Sequence, residues 1–309
     1  MDPRGNLDLV PHTTIHWKNL DPEDLPTISN LVLKSKSTAG MWIEESSVLV
    51  GDYRSKLMSM YIQWSLAING LHVAHDRYSD SEWNSTKQFT VSAVRPTETG
   101  LPPTVQTIAK WPGIRAAQAH LETTTKLIAW GIVELYALLE EFVFALYRVW
   151  WNNNPEGLLS GKEQKHLRAL RVQAESNEVL KQSWKDAWEN RLHSWQRNRL
   201  YSGLDKVILS YFQHTGLEKP SSYQESSPKT WAETIMLIAL LRNALVHGAK
   251  TVSPELAAAS DVRHNAGLEF RESSNLELRL FHLQAVEYFF QQLLTAINLS
   301  LSEHTDTGQ

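Results

Sequence analysis

The chain contains no cysteine. That removes disulfide frameworks, thiolate metal sites and a thiol nucleophile, and it suits an intracellular, cytoplasmic protein. Positive charge is not in excess either. Thirty Lys and Arg stand against 34 Asp and Glu, a formal net charge of −4, so contact with nucleic acid has to come from a local patch. The opening residues, MDPRGNLDLVPHTTIHW, hold no apolar run of the kind that leads a secreted chain. No GxxxxGK[ST], GxGxxG or GxSxG stretch occurs, which disfavours P-loop nucleotide hydrolysis and a nucleophile-elbow hydrolase. There is no HExxH pair, and His72, His75 and His264 lack converging carboxylates, so neither a metal nor a cofactor is implied.

Long uninterrupted hydrophobic runs are also missing. The nearest, LIAWGIVELYALLEEFVFALYRVWW at 127–151, would span a bilayer by length, but Glu134, Glu140, Glu141 and Arg148 interrupt it. Charges in mid-bilayer are expensive, so this is read as a helix buried in protein, with no membrane partner.

What the 309 residues do carry is helical periodicity with few strand signals, enough for two domains or one extended helical one. Residues 1–39 read as a partly ordered lead-in, 41–74 as a helix, and 76–103 as a polar connection closed by TETGLPP. Residues 104–152 read as long helix interrupted at WPG, 161–199 as another helix, and 200–216 as a short one. Residues 218–229 read as loop. Thr230 and Glu233 then form a capping-box pattern ahead of a helix that Gly248 would stop. GLEFRESSNLELRLF, 267–281, alternates like a small hairpin or extended loop before a last amphipathic helix at 281–301 and a polar tail. The class expected is all-α: an elongated helical bundle, with residues 1–103 as an N-terminal extension, 104–302 as the main helical domain and 303–309 as the tail.

The helix ending near Gly248 raises the functional question. Residues 237–250 read LIALLRNALVHGAK, an apolar run that admits Arg242, Asn243 and His247 within six positions. Arg and His at such a distance mean little alone. With 15 Arg and 12 His in the chain, chance supplies roughly 0.6 matches per spacing, and Arg115–His120 is a second one. That copy follows a Pro-Gly break, has Ala and Gln between its ends, and reads as surface charge on a helix. The 242–247 copy differs in its apolar setting, the amide beside the Arg and the Gly after the His. Asn243 and His247, four apart, share a helix face, while Arg242 sits about 140° round from His247 and needs its long side chain to close the gap.

Arg-Asn-x-x-x-His-Gly near the end of a core helix, followed by a last amphipathic helix, resembles the higher eukaryotes and prokaryotes nucleotide-binding (HEPN) superfamily. Many of its members are metal-independent endoribonucleases of toxin–antitoxin, abortive-infection and antiviral systems. The likeness rests on Arg242, Asn243, His247 and Gly248 and on the helical setting of residues 104–302. It implies a HEPN-like core with Arg242, Asn243 and His247 as catalytic residues. It also implies RNA (tRNA, mRNA or phage RNA) as substrate, and a homodimer whose two motifs meet in one cleft, with an antitoxin or sensor protein as further partner.

The chemistry suits that assignment. RNA carries its own nucleophile in the 2′-hydroxyl, so the enzyme need supply only proton transfer and charge stabilisation. Imidazole moves protons near neutral pH, and a guanidinium presents fixed charged donors to a phosphate. The products expected are a 2′,3′-cyclic phosphate and a 5′-hydroxyl. The same residues also allow a bland reading, in which His247 and Arg242 serve the last helical carbonyls and the helix dipole.

Residues 162–199 hold nine Lys or Arg against five acids. Lys162, Lys165, Arg168 and Arg171 are the candidate RNA-binding residues there. Trp184, Trp188 and Trp195 in the same stretch follow the spacing of an amphipathic core stripe rather than a base-stacking platform. Glu134 or Glu141 is a candidate partner for Arg242. The rival function is a non-catalytic helical module that binds RNA or a protein partner through its apolar surfaces at 127–151 and 281–299.

Overall fold

The computed structural model describes residue 33 and residues 40–97, 101–261 and 266–307, with 305–307 described through their backbone alone. Most of the lead-in at 1–39, His264 and the last two residues of the tail lie outside the described residues. Ten α-helices and one two-stranded antiparallel sheet form within them, so the all-α class with one small hairpin holds. In chain order they are α1 (Met41–Ser79), α2 (Ser81–Thr86), β1 (Gln88–Arg95), β2 (Thr104–Pro112), α3 (Gly113–Asn153) and α4 (Glu156–Leu159). There follow α5 (Lys165–Ala174), α6 (Glu178–Leu200), α7 (Leu204–Thr215), α8 (Pro228–Val246), α9 (Pro254–Ser260) and α10 (Leu280–Thr307). A short 3-10 turn, Lys162–Gln164, precedes α5.

The hairpin lies where sequence periodicity suggested connection and helix. QFTVSAVR and TVQTIAKW pair antiparallel with Phe89 opposite Trp111 and Arg95 opposite Thr104. Their β-branched residues favour extended backbone, and pairing satisfies the peptide groups that a lone helical turn beside Pro102 and Pro103 would leave open. The boundary drawn at residue 103 therefore falls in the turn between two paired strands. WPG does not interrupt a helix but starts one. Pro112 is extended at the N-cap of α3, and the Asn84 amide oxygen accepts the Ile114 N–H at 2.9 Å. A Cβ on Gly113 would come within 2.5 Å of that oxygen and of the Tyr78 carbonyl, so only glycine fits.

The alternating stretch at 267–281 forms no strand of its own. It makes one isolated bridge, Thr251 to Asn275. Left-handed residues at Ala266, Gly267 and Ser273 turn the chain too often for a ladder to build. Other helix bounds shift as well. The 161–199 helix is split at 175–177, where the Asn177 side chain accepts the N–H groups of Val179 and Leu180 and caps α6. The last helix runs on through Thr307 into the residues read as tail.

Helix α3, about 60 Å long at 1.5 Å per residue, is the spine of the bundle. Leu135, Leu139, Phe142 and Leu146 follow the helical repeat and are sealed from solvent, each worth about 1.5–3 kcal/mol of burial. The helix α1 runs antiparallel along α3, with Tyr53 Oη donating to Glu141 at 2.6 Å, Trp64 Nε1 to Glu134, and Tyr78 packed on His120. The helix α10 closes the other side, joined to α1 by Ser47–Asn298 (2.9 Å) and Arg54–Thr295 (3.1 Å), with Phe142 packed on Phe290. At the far end of α3, Tyr147, Trp151, Trp195 and Tyr211 pack ring against ring and tie in α6 and α7. Trp188 and Trp195 are buried and Trp184 stacks on Trp188, as a core stripe requires. Phe212 then meets Trp231 and brings α8 alongside α7.

Candidate functional site

The helix that carries the motif starts three residues, almost a full turn, earlier than TWAE suggests. Ser227 is the N-cap, its hydroxyl accepting the Thr230 N–H while the Thr230 hydroxyl accepts the Ser227 N–H at 2.8 Å. Pro228 supplies the fixed φ of the first helical position. Trp231, Ile235, Ile238 and Leu241 then face inward.

Arg242 continues that stripe, seven residues after Ile235 and four after Ile238, and so points at α3 rather than at solvent. Its guanidinium carbon lies 5.7 Å from the centre of the buried Tyr136 ring. Nη1 reaches back and donates to Asn243 Oδ1 at 2.9 Å. Nε is buried and has no acceptor among the described residues. Asn243 and His247 are exposed on the outer face of α8, one turn apart. The structure thus joins Arg242 to Asn243 through side chains, while His247 is linked to Asn243 only by its backbone N–H, which donates to the Asn243 carbonyl at 3.0 Å.

The end of α8 explains why His247 is free. Gly248 takes φ +67°, its N–H bonds the Leu245 carbonyl at 3.1 Å, and the Ala249 N–H bonds the Ala244 carbonyl at 2.9 Å. This pair of bonds closes the helix through backbone groups alone. The imidazole is therefore not used as a cap. The chain beyond is pinned, with Leu276 N–H on the Lys250 carbonyl at 2.8 Å and Val252 N–H on the Ser274 carbonyl at 2.9 Å.

The chain matches no family model, no curated protein and no solved structure. The site has to be read from its own chemistry.

Neither carboxylate expected beside Arg242 is there. Glu141 bonds Tyr53 and Lys56, and Glu134 bonds Trp64, because both lie on the α1 side of α3. The carboxylate that Arg242 feels is Glu140, one turn beyond Tyr136 on the same face. Burial raises the Glu140 carboxyl above its ordinary range, and the positive charge of Arg242 pulls it back. Tyr136 is pushed up to about 12, first by burial and then by Glu140, with Arg242 acting in the opposite direction and Asp205 adding to the rise. Periodicity held a usable signal for this residue. Tyr136 and Val143 are buried four before and three after Glu140, whereas Glu141 falls between those faces.

The four candidate RNA-binding residues divide. Lys162 and Lys165 are exposed. Arg168 Nη1 donates to the Leu159 and Gly161 carbonyls, closing the end of α4, and Arg171 pairs with Glu156 at 2.6 Å. Two of the four thus tie α5 to α4, and only the lysines stand free for a phosphate. The second Arg–His match is structural. Arg115 covers the Trp111 ring at 4.6 Å, and His120 bonds the Ala116 carbonyl and packs on Tyr78 and Phe89. Among the described residues, no group of three or more His, Asp or Glu is arranged to hold a metal, and no helix is long and apolar enough to cross a membrane.

Proposed function

We propose that the protein is a HEPN-type, metal-independent endoribonuclease that cuts RNA by attack of the 2′-hydroxyl and acts as a toxin or in antiviral defence. The observation that carries this reading is the end of α8. Backbone bonds alone close the helix, so the Asn243 amide and the His247 imidazole are left exposed, and Arg242 is tied to Asn243.

Each group has a distinct task. The C-terminal end of a helix carries partial negative charge and does not attract a phosphate by itself. Arg242 supplies the positive charge, with fixed donors for the non-bridging oxygens as charge builds on them. His247 takes the proton from the 2′-hydroxyl or delivers one to the leaving 5′-oxygen. One imidazole cannot do both at once. A second copy of the chain, facing the first across the two α8 ends, would provide the other. Lys162 and Lys165 would hold RNA outside the cut site.

The test is incubation of the purified protein with labelled tRNA, mRNA and phage RNA in EDTA, beside an Arg242→Ala/His247→Ala double variant. Cleavage by the wild type alone, leaving 2′,3′-cyclic phosphate ends, supports the enzyme. Binding of these RNAs without cleavage would favour a non-catalytic helical module instead.

A further inference from the structure

The Arg242 guanidinium has two edges in different surroundings. The Nη1 edge faces outward and is held by Asn243 at 2.9 Å. The Nε atom is shielded from solvent and has no acceptor among the described residues. A buried charged donor left unpaired is costly, and such a group in a folded protein calls for an explanation. On the α3 face that receives it stand Tyr136, whose ring the guanidinium covers at 5.7 Å, and Glu140 one turn further on. Glu140 is half-buried and forms no ion pair or hydrogen bond among the described residues, unlike Glu134 and Glu141 on either side. A carboxylate without a partner and a guanidinium edge without a partner therefore share one helix–helix seam.

We propose that Glu140 is the positioning residue for Arg242. Its carboxylate accepts the Nε–H edge when the Nη edge leaves Asn243 for an anion. In the resting arrangement Asn243 occupies Nη1. When a phosphate oxygen takes over Nη1, Asn243 is released to the substrate side, and Glu140 fixes the inner edge so that the guanidinium plane stays aimed at the phosphate. Planar, forked donors make this division of labour available to arginine and not to lysine. The inference rests on the ribonuclease reading for the identity of the anion. The pairing of Glu140 with Arg242 does not depend on it.

The experiment therefore has two readouts. In protein carrying ¹⁵N-arginine, the Arg242 Nε–H resonance, assigned by its loss in Arg242→Lys, is followed as a 2′-O-methyl RNA oligonucleotide is added. In the wild type, saturation slows its exchange with water at least about tenfold, and in Glu140→Gln it does not. In the same samples, RNA cleavage by Glu140→Gln falls roughly 10- to 100-fold in kcat with KM changed by less than about threefold, the size expected for loss of an orienting partner. Glu140→Asp restores part of that loss. Melting curves for Glu140→Gln at or above wild type separate this from damage to the fold. Slowed exchange in a wild type that cuts no RNA removes the ribonuclease reading and leaves the pairing in place. An Nε–H that behaves identically in wild type and Glu140→Gln, or a Glu140→Gln enzyme with unchanged kcat, overturns the proposal.

Discussion

The guanidinium carbon of Arg242 lies 5.7 Å from the centre of the Tyr136 ring, across the seam between α8 and α3. That relationship makes Arg242 part of the bundle and part of its surface at once. Nε is enclosed, while Nη1 emerges at Asn243. Replacing Arg242 should therefore disturb both chemistry and packing, whereas Asn243 and His247, both exposed, should affect chemistry alone.

On the ribonuclease reading, His247→Ala lowers cleavage about 10²- to 10⁴-fold, the usual share of one general acid or base. Arg242→Ala lowers it about 10²- to 10³-fold. Asn243→Ala, which removes only the resting partner of Nη1, costs about tenfold. Urea unfolding should place His247→Ala and Asn243→Ala within about 0.5 kcal/mol of wild type. A larger loss of stability in either would mean that the exposed side chains hold the helix end after all.

The end of α8 offers a separate check. Gly248 sits at φ +67° with open space where a Cβ would go, so Gly248→Ala meets no clash and only backbone strain. The expected destabilisation is about 1–2 kcal/mol by denaturant titration. Ser227→Ala, at the other end of the same helix, should cost about 1 kcal/mol. The two effects should add, because the sites are 21 positions apart and share no partner.

Acid should act on the start of α10. His282 is buried, stacked on Phe270 and Phe281, and its Nδ1 accepts the Arg279 backbone N–H at 2.9 Å. Burial first, and the charge of Arg279, lower its pKa from 6.5 to about 4. Above pH 6.5 neither state is charged there. As pH falls from 6.5 towards 4, the unfolded chain takes up a proton that the folded chain refuses, so stability drops through that window by up to about 3 kcal/mol. Stability measured against pH should show this slope in the wild type and lose it in His282→Gln, whose amide oxygen can still accept the same N–H.

Glu287 behaves in the opposite sense. Its carboxyl is raised by burial on α10, with the Gln291 hydrogen bond acting against the rise. Stability from this group is full below the carboxylate's unfolded value and is lost as pH rises through the higher folded one. Glu287→Gln should thus raise the melting temperature at pH 7 and leave it unchanged near pH 3. An equal shift at both pH values would point to packing rather than charge.

How much of this was legible beforehand depended on the range of the interaction. The helical repeat of 127–151 exposed α3 as a core helix, and the Thr230–Glu233 pattern and Gly248 bracketed α8 to within about a turn, because caps and stripes are encoded within one or two turns. The hairpin is hidden from the sequence for the same reason in reverse. TVQTIAKW is extended only because QFTVSAVR lies beside it, and that pairing is invisible from either segment alone. The alternating run at 267–281 had the pattern but only the short stretch at Lys250–Val252 to pair with. Among the glutamates, the error was one of face. Tyr136 and Glu140 share the side of α3 that meets Arg242 of α8, and a shift of one residue, about 100° of helix, sent Glu141 to Tyr53.

The sequence alone determined the class of the fold, the place of its main helices and the position of Arg242, Asn243 and His247 at a helix end. Each of these follows from spacing along one segment. Only the tertiary structure decided which carboxylate Arg242 meets, which of the basic residues at 162–171 are free, and that backbone bonds rather than His247 close the helix. Those outcomes depend on which faces of separate helices come together, and burial, not local sequence, selects the faces.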